Sequence, residues 1–138
     1  MSILDEIVAH KRTELEALPE TTVTLETLRS QVAERGGVRD FVGALARPRA
    51  GDVGLIAEVK KASPAKGLLR EDFDPAEIAS TYAQNGAAAI SVLTNADHFQ
   101  GNIEHLSTVH DTVYPLGVPV LRKEFIYDPY QIYEARAY

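Results

Sequence analysis

LIAEVKKASPAKG, residues 55–67, decides the fold of this chain. Its first half is an apolar run with two charges inserted, which reads as a β-strand over 55–60. Side chains alternate faces along a strand, so Ile56, Glu58 and Lys60 share one face and Leu55, Ala57 and Val59 the other. Burying a charge costs several kcal/mol unless it is paired. Glu58 and Lys60 are same-face neighbours and can satisfy each other. The second half, KASPAKG, is a loop with two more lysines, a serine, a proline and a glycine. A carboxylate, an ammonium and a basic, Gly-containing loop therefore converge at one strand end. α/β enzymes present chemistry to anionic substrates in this way. A solvated, charged edge strand would carry the same residues.

Downstream the pattern repeats. Asp74 and Pro75 open a helix over 75–85, with Glu77 placed for a capping box and Gly86 as the stop. AAISVLT, residues 88–94, reads as a second strand. Asn102 caps a helix over 102–113, with Ile103, Leu106, Val109 and Val113 on one face. VPVLRK, residues 118–123, is a third strand, and Asp128, Pro129 and Gln131 open a third helix. Strands alternating with helices predict a parallel sheet with right-handed crossovers. The long connections, 61–73 and 95–101, both follow strands, whereas the helix-to-strand returns are short. Long loops are kept for function, and these fall on the active face of a (β/α)₈ barrel. A doubly wound sheet binds ligands at the same ends. The barrel is favoured by the even repeat length, by the charges on one face of strands one and three, and by the absence of G-x-G-x-x-G after any strand.

Upstream, residues 1–48 read as a helical extension, and 49–138 as the first three βα units. Ser2 and Asp5 resemble a capping box for a helix carrying Ile3, Leu4, Ile7, Val8, Leu15 and Leu18, ending near Pro19. Thr24 caps a second helix, with Gly36-Gly37 as its stop. Asp40 caps a short third through Phe41, Val42 and Leu45. Arg47 to Gly54 is a polar loop. Eight βα units need about 250 residues; three fit in these 138. An open sheet of this kind exposes two edges and an apolar inner face, which favours self-association.

Composition narrows the function. The chain is 45% hydrophobic with a net charge of -6, which disfavours nucleic acid as a partner. It has no cysteine, so neither a disulfide nor a thiolate metal site is available. No apolar run is long enough for a bilayer, and MSILDEIVAHKR does not resemble a signal peptide, so a cytoplasmic location is expected. Only five residues are lysine, and Lys60, Lys61, Lys66 and Lys123 all fall at or just past strand ends. In an acidic protein this gathers positive potential in one place, suited to a phosphate ester or carboxylate.

In VPVLRKEF, residues 118–125, Pro119, Leu121, Lys123 and Phe125 share a face. Arg122 and Glu124 point oppositely, where pairing with the surrounding helices is open to them. An inward Lys123 would join Glu58 and Lys60 at the mouth of a barrel. Two ammoniums beside one carboxylate suit acid catalysis and carboxylate binding. Taken alone, Lys123 reads first as a strand-end lysine with its head in water. Phe99 and Phe125 are placed to sandwich an aromatic group, or simply to pack loops. His98 lies in the second loop, and His10, His105 and His110 lie on helices. No pair has metal-ligand spacing, so no metal is expected.

These residues resemble a known family. IAEVKKASPAKG at 56–67, EDFDPAEIASTYAQNGAAAISVLTNADHFQG at 71–101 and VPVLRKEFIYDPYQIYEARA at 118–137 are similar to the indole-3-glycerol phosphate synthases of tryptophan biosynthesis. ILDEIVAHKR at 3–12 is similar to that family's first helix. The resemblance implies a (β/α)₈ (TIM) barrel with an N-terminal helical segment. It implies ring closure of 1-(2-carboxyphenylamino)-1-deoxyribulose 5-phosphate with loss of carbon dioxide and water, and no cofactor or metal. It implies Lys123 as general acid at the ribulose carbonyl or as anchor of the departing carboxylate. Lys60 would sit near the substrate carboxylate and be available as an acid, and Glu58 would bond substrate and orient the lysines. Ser63 would lie near the substrate, with Phe99 and Phe125 around the anthranilate ring. The partner implied is thus a small phosphosugar–anthranilate substrate, with neither nucleic acid nor membrane, and the full-length enzyme a monomer or weak oligomer. Ala65 departs from the usual serine, Asn95 from the usual acidic residue and Glu124 from the usual aspartate. The family's later strands supply a further glutamate, an asparagine and phosphate-binding loops; nothing in this sequence resembles them. Two other readings are a non-catalytic partial barrel acting as an assembly module, and another phosphosugar barrel enzyme. Glu58 and Lys60 together with SPAKG argue against the second.

Overall fold

The computed structural model describes residues 2–18, 23–35 and 37–138. The stop expected near Pro19, and Gly36 of the expected Gly36-Gly37 stop, lie outside these residues. In chain order the elements are α1 (Ile3–Glu16), α2 (Leu25–Arg35), α3 (Phe41–Ala46), β1 (Ile56–Val59), β2 (Ala62–Ser63) and β3 (Gly67–Leu68). Then come α4 (Pro75–Gln84), β4 (Ala89–Leu93), α5 (Ala96–Phe99), α6 (Ile103–Val113), a 3₁₀ turn at Tyr114–Leu116, β5 (Val120–Lys123) and α7 (Pro129–Ala137). The chain packs as two units: Val38–Glu124, and the segments before Val38 together with Phe125–Tyr138.

The Val38–Glu124 unit is a three-stranded sheet in the order β1-β4-β5, and both pairings are parallel. The sequence dictates this arrangement step by step. Asp74 accepts from the amides of Ala76 and Glu77, at 2.9 and 3.1 Å, and Pro75 presets the first helical turn of α4. The box expected from Glu77 is not closed: both bonds run to the Asp74 carboxylate. Gly86, at φ +90°, turns the chain from α4 back toward the sheet. Asn102 caps α6 through the Glu104 amide at 2.9 Å, and Leu106, Val109 and Val113 are its buried stripe. β4 is buried along its whole length, as the central strand of a covered parallel sheet must be. Val59, Ile90 and Val92 share one face, and all three are buried to within 1% of their surface. The opposite face is more open at its flanks, where Ile56 and Leu121 are 44% and 38% exposed.

Two connections hold more structure than the sequence pattern signals. The loop after β1 folds back as an antiparallel hairpin, with Ala62 paired to Leu68 and Ser63 to Gly67. Gly67 sits at φ +66°, where a side chain would be strained. The loop after β4 contains α5. The third strand begins at Val120 rather than Val118, because Pro119 has no amide to give the ladder and contributes only its carbonyl, to the Ile90 amide at 3.1 Å.

In the other unit α2 packs on α7. Ser2 and Asp5 form the expected capping box of α1, and Asp128 and Gln131 that of α7. Gln131 is 1% exposed and fully engaged. Its Oε1 accepts from the Tyr127 and Asp128 amides, and its Nε2 donates to the Phe125 carbonyl at 2.9 Å. Ile7 and Leu28 are buried, and the Arg29 guanidinium lies 5.2 Å from the centre of the Tyr133 ring.

Candidate active face

Parallel pairing puts register-matched residues on the same sheet face. Glu58 pairs with Ser91, and Ser91 with Leu121; Leu93 pairs with Lys123. Glu58, Ser91, Leu93, Leu121 and Lys123 therefore share one face, opposite Val59, Ile90 and Val92. Lys60 follows β1 on that same face. Its Nζ lies 3.1 Å from Glu58 Oε1, and both side chains are about one-third exposed. With adjacent strands about 4.8 Å apart, the Lys60 and Lys123 backbones stand about 10 Å from each other across β4. Lys123 is exposed at the end of its strand. The expected trio is thus on one face and at one end of the sheet, with two ammoniums to one carboxylate.

The hairpin β2–β3 rises from the same strand ends. Ser63 Oγ accepts from the Lys66 amide at 3.2 Å, which tightens the Pro64–Lys66 turn. The Leu69 amide donates to the Lys61 carbonyl at 2.8 Å and closes the hairpin base. α5, which ends at Phe99, packs against β2. The elements carrying Ser63 and Phe99 are thus neighbours. Phe125 follows the end of β5 and belongs to the other unit, where its carbonyl is held by Gln131.

The sequence pattern missed a polar network beside Lys123. Arg122 Nε donates to Thr94 Oγ1 at 3.0 Å, Thr94 Oγ1 donates to Glu124 Oε2 at 3.4 Å, and Asn95 Nδ2 donates to Glu124 Oε1 at 3.2 Å. Asn95 Oδ1 also accepts from the His98 amide and so caps α5. Thr94 and Asn95 are 5% and 4% exposed. Arg122 and Glu124 thus bond to the end of the neighbouring strand. Because they flank Lys123 in sequence, they fix where its backbone leaves the sheet. The available signal was weak: Asn95 three residues before His98 is an N-cap spacing.

His105 on α6 is a second feature that the pattern did not single out. Burial pushes its pKa below the usual histidine value, and the Lys61 ammonium adds to the depression. Its Nδ1 is buried without a hydrogen-bond partner among the described residues, and its ring lies 5.3 Å from that of Phe73. Among the described residues, no group of three or more His, Asp or Glu could hold a metal ion, and no helix is long and apolar enough to cross a membrane.

Parallel strands, helical crossovers and charged residues at the strand C-terminal ends place the chain among α/β proteins whose working face lies at those ends. A family model described as indole-3-glycerol phosphate synthase matches residues 4–138, and the chain belongs to that family. Three relatives of that name, from Burkholderia cenocepacia (strain HI2424), Rippkaea orientalis and Laribacter hongkongensis, are 52%, 51% and 48% identical to it. The alignments cover 98%, 97% and 98% of this chain but only 50%, 44% and 50% of those proteins. The chain spans about half the length of the curated relatives it matches.

Proposed function

We propose that these 138 residues are the helical extension, 1–48, and the first three βα units, 49–138, of a cytoplasmic indole-3-glycerol phosphate synthase built as a (β/α)₈ barrel. Its reaction is the ring closure, decarboxylation and dehydration of 1-(2-carboxyphenylamino)-1-deoxyribulose 5-phosphate. The observation that carries this reading is the Glu58–Lys60 pair at 3.1 Å on the face that also bears Lys123. One carboxylate between two ammoniums leaves a net positive site, matched to a substrate with a carboxylate and a phosphate. Lys123 and Lys60 share the work of general acid at the ribulose carbonyl and anchor of the carboxylate that departs. Glu58 orients Lys60 and accepts from the substrate. Ser63 reaches the substrate from the β2–β3 hairpin, and Phe99 on the neighbouring α5 lies against the anthranilate ring.

Phosphate anchoring falls to βα units that these residues do not include. A phosphate ester is held by amide donors and helix N-termini, and positioning of reacting atoms is worth about 7–11 kcal/mol. The 138-residue chain alone is therefore expected to be inactive. The test is to purify it and assay product fluorescence, alone and mixed with a chain supplying the later βα units of a relative. Turnover only in the mixture supports the reading. Robust turnover by the chain alone, or none in a mixture that demonstrably associates, overturns it.

A further inference from the structure

A second concentration of positive charge lies at the opposite end of the sheet. A cavity of about 350 Å³ is lined by Arg39, Asp40, Gly43, Ala44, Arg47, Arg49 and the strand-start residues Ala88, Gly117 and Pro119. Small-molecule sites run from about 300 to 1,000 Å³. Ala88 precedes β4 and Pro119 precedes β5, so at about 3.3 Å per residue the cavity sits about 16 Å along the strands from Leu93 and about 13 Å from Lys123.

Its walls are built rather than incidental. Arg39 lies over the Tyr114 ring at 4.2 Å and donates through Nη2 to the Tyr114 carbonyl at 2.8 Å, which fixes the guanidinium. Its Nε is buried with no hydrogen-bond partner among the described residues. Asp40 Oδ1 is engaged by the Gly43 amide as the cap of α3. Its Oδ2 pairs with Arg47 at 3.5 Å, a loose pair whose side chains are 70% and 80% exposed. Arg49 makes no hydrogen bond or ion pair among the described residues. Glycine at 43 keeps this corner open: an added Cβ would collide with the Asp40 carboxylate and stand 2.8 Å from the Arg47 guanidinium. Three of the chain's nine arginines thus line one cavity against one carboxylate, in a protein of net charge -6.

We propose that this cavity binds a small phosphorylated anion, with Arg39, Arg47 and Arg49 as its ligands, separately from the face that bears Glu58, Lys60 and Lys123. A guanidinium offers paired donors in a fixed plane that match two phosphate oxygens. Arg39 is held in place in advance, and Arg47 can exchange its loose carboxylate partner for a dianion. Arg49 is available outright. Lysine, which is concentrated at the other end of the sheet, is absent from the lining.

The test is titration of the chain with inorganic phosphate and with pyrophosphate, at ionic strength matched by chloride, following the amide signals of Gly43, Ala88 and Gly117. Saturable shifts there are expected at millimolar phosphate, with tighter binding of pyrophosphate. Arg47→Gln and Arg49→Gln, both exposed and outside the packed core, should each weaken binding by about tenfold, the effect of losing one charge-assisted contact. A Lys60→Gln, Lys123→Gln double variant should bind as the parent does. The proposal is overturned if those amides do not move, if the arginine variants bind unchanged, or if the lysine variant loses the binding.

Discussion

Asn95→Ala tests whether the strand-end network holds the candidate active face together. The side chain is 4% exposed and does two things at once. It donates to the Glu124 carboxylate at 3.2 Å and accepts the His98 amide as the cap of α5. A hydrogen bond to a charged partner contributes about 1.5–3 kcal/mol, and an N-cap about 1 kcal/mol. The two act on the same short segment and do not add fully, so a loss of about 2–3 kcal/mol is expected. At this chain length 1 kcal/mol moves the midpoint by about 3–4 °C, which puts the variant about 6–12 °C below the parent in a thermal melt. Asn95→Asp separates the two roles. Aspartate caps as well as asparagine, but it sets a carboxylate against Glu124. Like charges raise the apparent pKa of such a pair in the folded state. Above the unfolded carboxylate values of about 4, the folded variant then binds more protons than the unfolded one, so its stability falls as pH rises through that window. Asn95→Asp should melt well below the parent at neutral pH and recover toward it near about pH 5. An alanine variant within about 0.5 kcal/mol of the parent, or an aspartate variant whose deficit does not change with pH, would refute the network's role.

Lys123→Ala, placed in the enzyme with all its βα units, should lower kcat by about 100-fold or more, the scale of a positioned proton donor, yet leave the melt of the 138-residue chain nearly unchanged because the side chain is exposed; near-parental turnover would remove Lys123 from the chemistry. His105 has its pKa held below the usual value, so the unfolded chain takes up more protons between the folded value and about 6.5. Its contribution to stability is present above that range and is lost as pH falls through the folded value, and a melt series should show His105→Gln flattening this acid limb. Gly101→Ala would set a Cβ 2.5 Å from the Leu93 carbonyl oxygen and 2.9 Å from that of Asn95, both backbone atoms that cannot swing away. A loss of about 1–3 kcal/mol of unfolding free energy in a denaturant titration is expected, the range for overpacking, and an unchanged midpoint would show that the β4–α6 connection is softer than its contacts imply.

What the sequence made legible, and what it did not, divides by the range of the interaction. Asp74-Pro75, Asn102 and Asp128-Pro129 mark helix starts through bonds that close within three residues, so spacing alone reveals them. Glu58 and Lys60 are two residues apart on a strand, so their pairing also follows from local alternation. The β2–β3 hairpin has two-residue strands, too short for any period to register, and only Gly67 at φ +66° betrays the turn. The Thr94–Arg122–Glu124–Asn95 network joins residues about 30 apart, and it exists only because Leu93 pairs with Lys123 rather than with a residue one step away. A slip of one residue would carry Arg122 and Glu124 to the other face and Lys123 away from Glu58 and Lys60. The register that creates the network is thus the same register that aligns the lysines. The polar residues beside Lys123 are therefore part of what fixes the alignment of the candidate active face, a role that no local pattern in VPVLRKEF could disclose.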